Sequence, residues 1–249
     1  MMHVLLLETI EDESFELLKN EKDIQLHLAW EGMPSADILE GIDAVITRGI
    51  GQVNRALYDA CPNMKVAARC GVGLDNVDVA EASKRGIKVI NAPGSNASTV
   101  AEHTISLMLT IQRNLFEALS AVKNGQWASR SSFKSDELHG KTLGILGLGN
   151  IGLKVANIAA AFGMKVIVAE RPQAKQIRPG RIAFESAIRS ADVLSLHCPL
   201  TDETAKLVNT QTLSWMKPSA LLINTARGGL IDETALAEAL VQGRIAGAA

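Results

Sequence analysis

The sequence predicts an α/β protein built on parallel sheets, and three observations predict it. Short apolar runs recur along all 249 residues, separated by stretches with helical spacing. Runs that are apolar throughout, rather than alternating, are the mark of parallel strands buried on both faces. Gly, Pro and Asn clusters fall at the junctions and not inside the runs. In mid-chain, residues 142–170 set out a strand, the pattern Gly147-x-Gly149-x-x-Gly152, a helix, a second strand and the acid Glu170 in that order.

Taken in order, residues 3–7 read as a first strand, 13–19 as a short helix and 24–29 as a second strand with alternation. Residues 43–47, 65–69 and 87–90 continue as strands, with helical patterns at 54–60 and 77–84 between them. Crossovers of one hand gather the loops after such strands on one edge of the sheet. That rule singles out Arg48 and the loop 70–76; Asp75 in it and Asp78 just beyond read as turn and helix-cap residues. The cluster Ala92-Pro93-Gly94-Ser95 marks a domain boundary, giving units 1–95 and 96–249. Asn96 or Ser98 stands where it could cap a long helix expected over 99–122, apolar along Val100, Ile105, Leu109, Leu115 and Leu119. A helix of that length suits a bridge between domains or a contact with a second subunit. Residues 124–140 are polar and irregular and read as a surface loop.

The central stretch has a physical logic. Residues 142–146 form the strand, Gly147 permits the tight turn, Gly149 leaves room against the backbone, and Gly152 lets helix and strand pack closely. The helix expected over 150–162 would offer unpaired N–H groups and its positive dipole end to an anion. A strand at 165–169 then ends at Glu170, near the offset of about 20 residues at which a carboxylate meets the ribose hydroxyls of a bound dinucleotide. This order points to dinucleotide binding. Glu170 favours NAD over NADP, although Arg171 beside it could accept a 2′-phosphate.

Beyond Glu170 the pattern continues with helices at 184–189 and 210–216 and strands at 192–197 and 220–224. Asp232 caps a helix reaching residue 242, Gly243 closes it, and a strand begins at 245. His197 ends its strand on the carboxyl edge, a place suited to cofactor contact, with Cys198 and Pro199 following.

A net charge of −2 and 4% aromatic residues leave no electrostatic or stacking footprint for nucleic acid. No apolar run is long enough to span a bilayer, and the N-terminus lacks a signal-peptide pattern. Cys61, Cys70 and Cys198 follow no disulfide, redox or metal spacing, so free thiols in the cytoplasm and no metal site are expected.

Five stretches together resemble the D-isomer-specific 2-hydroxyacid dehydrogenases. They are ARCGVGLDNVD (68–78), STVAEHTISLML (98–109), GILGLGNIG (144–152), SLHCPLTDET (195–204) and NTARGGLID (224–232). Within that family the likeness is to the phosphoglycerate dehydrogenase and hydroxypyruvate (glycerate) reductase branches. The resemblance implies a flavodoxin-like substrate domain into which a Rossmann NAD-binding domain is inserted, and hydride transfer between a nicotinamide and C2 of a 2-keto or 2-hydroxy acid. It implies that Arg227 holds the substrate carboxylate and polarises the keto oxygen, and that backbone N–H groups of Gly71, Val72 and Gly73 cradle that carboxylate. Val72 would act through backbone and packing alone, on substrate and cofactor sides alike. Asn150 and Ile151 match pyrophosphate contacts, and Cys198, Thr225 and Ala226 match positions lining the nicotinamide. Arg48 matches a position near phosphorylated substrates. A homodimer through the long helix is also implied.

The sequence departs from the family in one respect. The family's carboxylate and histidine acid pair lies about 30 and about 50 residues beyond the arginine, and position 249 falls short of both. The expectation is therefore either a fragment of a dehydrogenase or the product of a shortened gene, lacking in both cases the C-terminal return to its first domain. Two other readings stand beside it: a non-catalytic NAD-binding sensor or corepressor, and a poorly folding remnant. His197 is the one histidine placed to substitute as the acid.

Overall fold

The computed structural model describes residues 1–132 and 136–249. The chain divides into two compact units, Met1–Asn96 and Ala97–Ala249, and each carries a five-stranded parallel sheet.

The first unit runs β1 (Met2–Leu6), α1 (Asp12–Asn20), β2 (Ile24–Leu28), α2 (Ala36–Glu40), β3 (Ala44–Thr47), α3 (Arg55–Ala60), β4 (Val66–Arg69), α4 (Val79–Lys84) and β5 (Lys88–Ile90). Its strand order is β2-β1-β3-β4-β5, the flavodoxin-like order. Alternate residues of β1 face opposite ways, and both sides are buried. Leu5 packs with Ile42, Val45, Tyr58 and Met64 on one side. Val4 and Leu6 pack with Phe15, Ile24 and Leu26 on the other. This two-sided burial is why the runs read as apolar throughout. Asn54 caps α3 through the Leu57 N–H and Asp78 caps α4 through the Glu81 N–H. The short α2 was not visible in the sequence pattern, since five residues are too few to show a helical period.

The second unit runs α5 (Ala97–Gln112), α6 (Leu115–Lys123), β6 (Thr142–Leu146), α7 (Asn150–Ala161), β7 (Lys165–Val168), α8 (Phe184–Ser190), β8 (Val193–Leu196), α9 (Thr210–Trp215), β9 (Leu221–Asn224), α10 (Glu233–Val241) and β10 (Gly247–Ala248). The sheet order is β10-β9-β8-β6-β7. Ile182 forms a single parallel bridge with Ala169, on the side of the chain away from β6. Counting that bridge as a one-residue third strand gives 3-2-1-4-5-6, the Rossmann order. The helix α7 buries Val155 and Ala159 in one cluster with Ala101, Ile105 and Met108 of α5 and with Leu143 and Ile145 of β6. Asp232 caps α10 through the Ala235 N–H, as its position in the sequence suggested.

The expected continuous helix over 99–122 is broken. Asn114 takes a left-handed conformation, φ 48°, between α5 and α6, a conformation that Asn tolerates better than most residues. The apolar spacing continues across the break, so the sequence pattern hid it. Helix α5 begins at Ala97, which puts Ser98 inside the helix rather than at its cap. Within the stretch expected to be an irregular loop, Trp127–Ser131 form a short 3-10 turn, and residues 133–135 lie outside the described residues.

One buttress of the first unit was not foreseen. The Glu8 carboxylate, just after β1, accepts the backbone N–H groups of Arg48, Gly49, Ile50 and Gly51 and the Thr47 hydroxyl at 2.8–3.0 Å. Partial burial pushes its pKa up, but the four N–H donors outweigh that and hold it at about 2, against an ordinary 4.5. A group whose pKa is lower folded than unfolded stabilises fully above the unfolded value and loses that contribution as the pH falls towards the folded one. Glu8→Gln is therefore expected to cost about 1–2 kcal/mol at pH 7, after allowing for solvent screening. In urea unfolding, the gap between the two proteins should shrink as the pH falls from about 4.5 to about 2. A gap that stays constant across that window would show that the carboxylate is not the buttress.

Candidate functional site

The second unit builds its site at the carboxyl ends of β6, β7 and β8. From Leu146 the chain turns through Gly147, Leu148 and Gly149 into α7. Gly147 has φ +101°, and a Cβ there would stand 2.6 Å from the His197 carbonyl oxygen and 2.7 Å from the Cys198 nitrogen. A Cβ on Gly152 would collide with the Gly147 carbonyl oxygen. These two glycines are demanded by the chain's own packing. Gly149 differs: its φ of −92° suits any residue, and a Cβ there would meet nothing within 4 Å. Among the described residues no contact demands that glycine, which stands at the N-cap of α7. The open space lies against the backbone at the N-terminus of α7, where N–H groups lack intrahelical partners. A group such as a dinucleotide pyrophosphate fits this donor set.

A cavity of about 760 Å³ opens beside the turn and brings together Gly147, Gly149, Glu170, His197, Cys198 and Pro199 of the residues singled out in the sequence. Asn150 and Ile151 start α7, and Gly152 is buried beneath the turn. The His197 Nε2 lies 2.9 Å from the Ser195 hydroxyl. Burial pushes the imidazole down to about 4, so it is neutral at pH 7 and forms a wall rather than a proton donor. Burial pushes the Cys198 thiol up, which leaves it uncharged.

Glu170 has an occupation that the sequence did not reveal. Its side chain is 2% exposed and is ion-paired with Arg178, with Arg178 Nη2 at 2.5 Å from Oε1. The backbone N–H groups of Arg171 and Arg178 also donate to it. Arg178 above all holds the carboxyl well below the usual carboxylate range. Arg171, Arg178 and Arg181 line the cavity beside it.

Thr225, Ala226 and Arg227 follow β9 and are not part of that cavity's lining. Asn224 shapes their loop, accepting the Ala226 N–H at 3.0 Å and donating to the Arg227 carbonyl at 2.8 Å. The Thr225 hydroxyl meets that of Thr104 on α5 at 2.8 Å. Arg227 is half-buried, with Nη1 donating to the Ala226 carbonyl at 2.8 Å.

In the first unit, Gly71, Val72 and Gly73 follow β4. The Gly71 N–H already donates to the Arg69 carbonyl at 2.8 Å, so it is not open to a ligand as expected. The Val72 carbonyl is held by Asn91 Nδ2 at 2.7 Å. A Cβ on Gly71, φ +154°, would run into the Arg69 guanidinium. Among the described residues, the buried Arg69 Nε is left without a partner beside this loop. Arg48 is exposed and paired with Glu11 at 3.1 Å. Arg178, Asn224, Arg69 and Glu8 were all missed in the sequence. Glu8 acts through a contact some 40 residues away, and Asn224 through a local loop contact that the apolar pattern does not announce.

Among the described residues no group of three His, Cys, Asp or Glu side chains is arranged to hold a metal. No helix there is long and apolar enough to cross a membrane.

A two-sheet α/β fold with a glycine turn built around an empty backbone approach defines a dinucleotide-binding protein class. Comparison with known proteins gives the family. Residues 105–249 match the model described as D-isomer specific 2-hydroxyacid dehydrogenase, NAD binding domain. The chain is 43% identical over 217 residues to the D-3-phosphoglycerate dehydrogenase of Bacillus subtilis, covering 86% of this chain and 41% of that one. It is 38% identical over 240 residues to the hydroxypyruvate reductase of Thermotoga maritima, covering 95% and 78% respectively. The structure of the Aquifex aeolicus D-lactate dehydrogenase complexed with NAD and lactic acid superposes with a TM-score of 0.86 at 30% identity, over 99% of this chain and 75% of that one. The chain belongs to the D-isomer-specific 2-hydroxyacid dehydrogenase family. It spans less than half the length of the Bacillus subtilis relative. The relatives named are dehydrogenases and reductases, which does not favour a non-catalytic sensor.

Gly147 and Gly149 should separate in a stability experiment. Gly147→Ala is expected to lose roughly 2 kcal/mol or more, through its left-handed backbone and the His197 carbonyl. Gly149→Ala should change stability by no more than about 0.5 kcal/mol. Thermal melts of the two variants without added ligand check this, and equal losses would refute it.

Proposed function

We propose that this chain belongs to an NAD-linked oxidoreductase that interconverts a D-2-hydroxy acid and its 2-keto acid, of the phosphoglycerate or glycerate/hydroxypyruvate type. The observation that carries the proposal is the turn Gly147-x-Gly149-x-x-Gly152, which leaves the backbone at Gly149 open at a helix N-terminus beside a cavity. The bound nicotinamide supplies hydride exchange with C2 of the acid. On this reading residues 1–95 form the substrate domain and 96–249 the NAD-binding domain.

The chain's own residues bind and orient. Gly147, Gly149 and Gly152 open the turn, and the backbone of Asn150 and Ile151 meets the pyrophosphate. His197, Cys198, Pro199, Thr225 and Ala226 wall the nicotinamide side. Arg227 of the second unit holds the substrate carboxylate and polarises the keto oxygen. Within the first unit, Val72 and Gly73 are the substrate-side backbone N–H donors and Arg48 a cation for a substrate phosphate. His197 is neutral and does not deliver the proton. NAD is the cofactor that Glu170 favours in the sequence. The pairing of Glu170 with Arg178, and Arg171 alongside, leave NADP open.

Leu115, Phe116, Leu119 and Val122 of α6 are exposed together, which supports a homodimer through this helix. The three free cysteines support a reducing, cytoplasmic setting.

Fluorescence titration with NADH tests the cofactor reading. The wild-type protein should bind, and Gly149→Val should weaken binding at least tenfold, about 1.4 kcal/mol, while keeping its thermal midpoint. Equal binding by both proteins would overturn the role of the turn. The gene's full-length product should oxidise NADH with at least one of hydroxypyruvate, 3-phosphohydroxypyruvate, pyruvate or glyoxylate, and no turnover with any of them would sink the dehydrogenase reading. Phe116→Glu with Leu119→Glu should convert a dimer to a monomer in sedimentation experiments, and an unchanged mass would remove α6 as the interface.

A further inference from the structure

The acid that ends the second strand of a dinucleotide-binding sheet ordinarily receives the ribose hydroxyls. In this protein that acid is already satisfied on both oxygens. Glu170 Oε1 accepts the Arg171 N–H at 2.9 Å and Arg178 Nη2 at 2.5 Å. Its Oε2 accepts the Arg178 N–H at 3.1 Å and Arg178 Nε at 2.8 Å. The guanidinium thus grips the carboxylate in the two-point manner that makes such pairs strong. The Glu170 side chain is 2% exposed and that of Arg178 is 53% exposed. A ribose diol reaches the carboxylate only by displacing Arg178. What the cavity offers beside Glu170 is guanidinium: Arg171, Arg178 and Arg181 line it there, with Glu203 the second carboxylate in the lining and Arg181 Nη1 3.9 Å from Glu170.

We propose that Arg178, held by Glu170, is the specificity-determining residue at the ribose end of the cavity and presents a cation to the 2′ position, so that the protein accepts NADPH as well as NADH. This rests on the dinucleotide reading of the cavity. A carboxylate open to the cavity would repel a 2′-phosphate and bond to a 2′-hydroxyl. A carboxylate engaged by Arg178 does neither, and the arginines beside it can form charge-assisted bonds with a phosphate. Removal of Arg178 reverses the situation. Glu170 keeps its two backbone N–H donors and its charge, and regains the capacity to accept from a ribose hydroxyl.

The test is fluorescence titration of the purified protein with NADH and with NADPH at one low ionic strength, for the wild type and for Arg178→Ala. Arg189→Ala serves as the control, since Arg189 is an exposed arginine paired with Glu185 on α8. The wild type should bind NADPH no more than threefold more weakly than NADH. In Arg178→Ala the ratio of the NADPH to the NADH dissociation constant should rise at least tenfold, and in Arg189→Ala it should stay within twofold. A wild type that prefers NADH more than threefold, a smaller rise in Arg178→Ala, or an equal rise in the control overturns the proposal. Should Arg178→Ala fail to fold, Arg178→Gln, which keeps a donor towards Glu170 without the charge, carries the same criterion. If the wild type binds neither dinucleotide, the dinucleotide reading itself fails and takes this proposal with it. If it binds both and Arg178→Ala leaves the ratio unchanged, only the role of Arg178 fails.

Discussion

The second unit depends on one close approach: the turn after β6 passes over the end of β8 with no side chain between them. β6 lies between β7 and β8 in the sheet, so its exit must clear the backbone of a neighbouring strand. Gly147 clears the His197 carbonyl only because it has no Cβ and takes φ +101°. Gly152 then lets the first turn of α7 sit against the Gly147 carbonyl. With that contact made, α7 lies flat enough to bury Val155 and Ala159 against α5 and the sheet. The same contact aims the N-terminus of α7 at the cavity. Packing therefore claims two glycines of this turn, Gly147 and Gly152, and leaves the backbone at Gly149 open beside the cavity.

Much of this architecture was legible in the sequence because parallel strands bury both faces. Thr142–Leu146, Leu221–Asn224 and Ala44–Thr47 each contain apolar runs that only a doubly covered strand would carry. Helix caps were legible where an Asp precedes an apolar spacing, as at Asp78 and Asp232. The break at Asn114 was not, because the apolar stripe of α5 runs in register into α6 and only the backbone records the kink. The one-residue third strand at Ile182 was hidden for the opposite reason, since a single bridge has no pattern.

At the site, the sequence located residues better than it described their state. The glycine spacing found Gly147, Gly149 and Glu170, the strand end found His197 and the family resemblance Cys198, and all of them line one cavity. It could not tell that the Gly71 N–H is used by the Arg69 carbonyl, that Arg48 pairs with Glu11, or that burial keeps His197 neutral. Strand order is set by local patterns and chain crossovers. The electrostatic state of a side chain is set by partners at arbitrary separations: 40 residues in the case of Glu8 and the Arg48 N–H.

For Glu170 the decisive partner, Arg178, lies in a loop. The stretch 171–180 is exposed at every residue and has no apolar anchor of its own. It is fixed where Ile182 bridges Ala169 and where the Glu170 carboxylate takes the N–H groups of Arg171 and Arg178 and the Arg178 guanidinium. A buried carboxylate without these donors would carry a large desolvation cost. With them, it orders the loop that walls the cavity. Loop order and cavity charge are thus set by the same ion pair, and neither member can change without altering both. A lone acid at this position would present bare negative charge to the cavity, whereas this one is clamped by the guanidinium beside it.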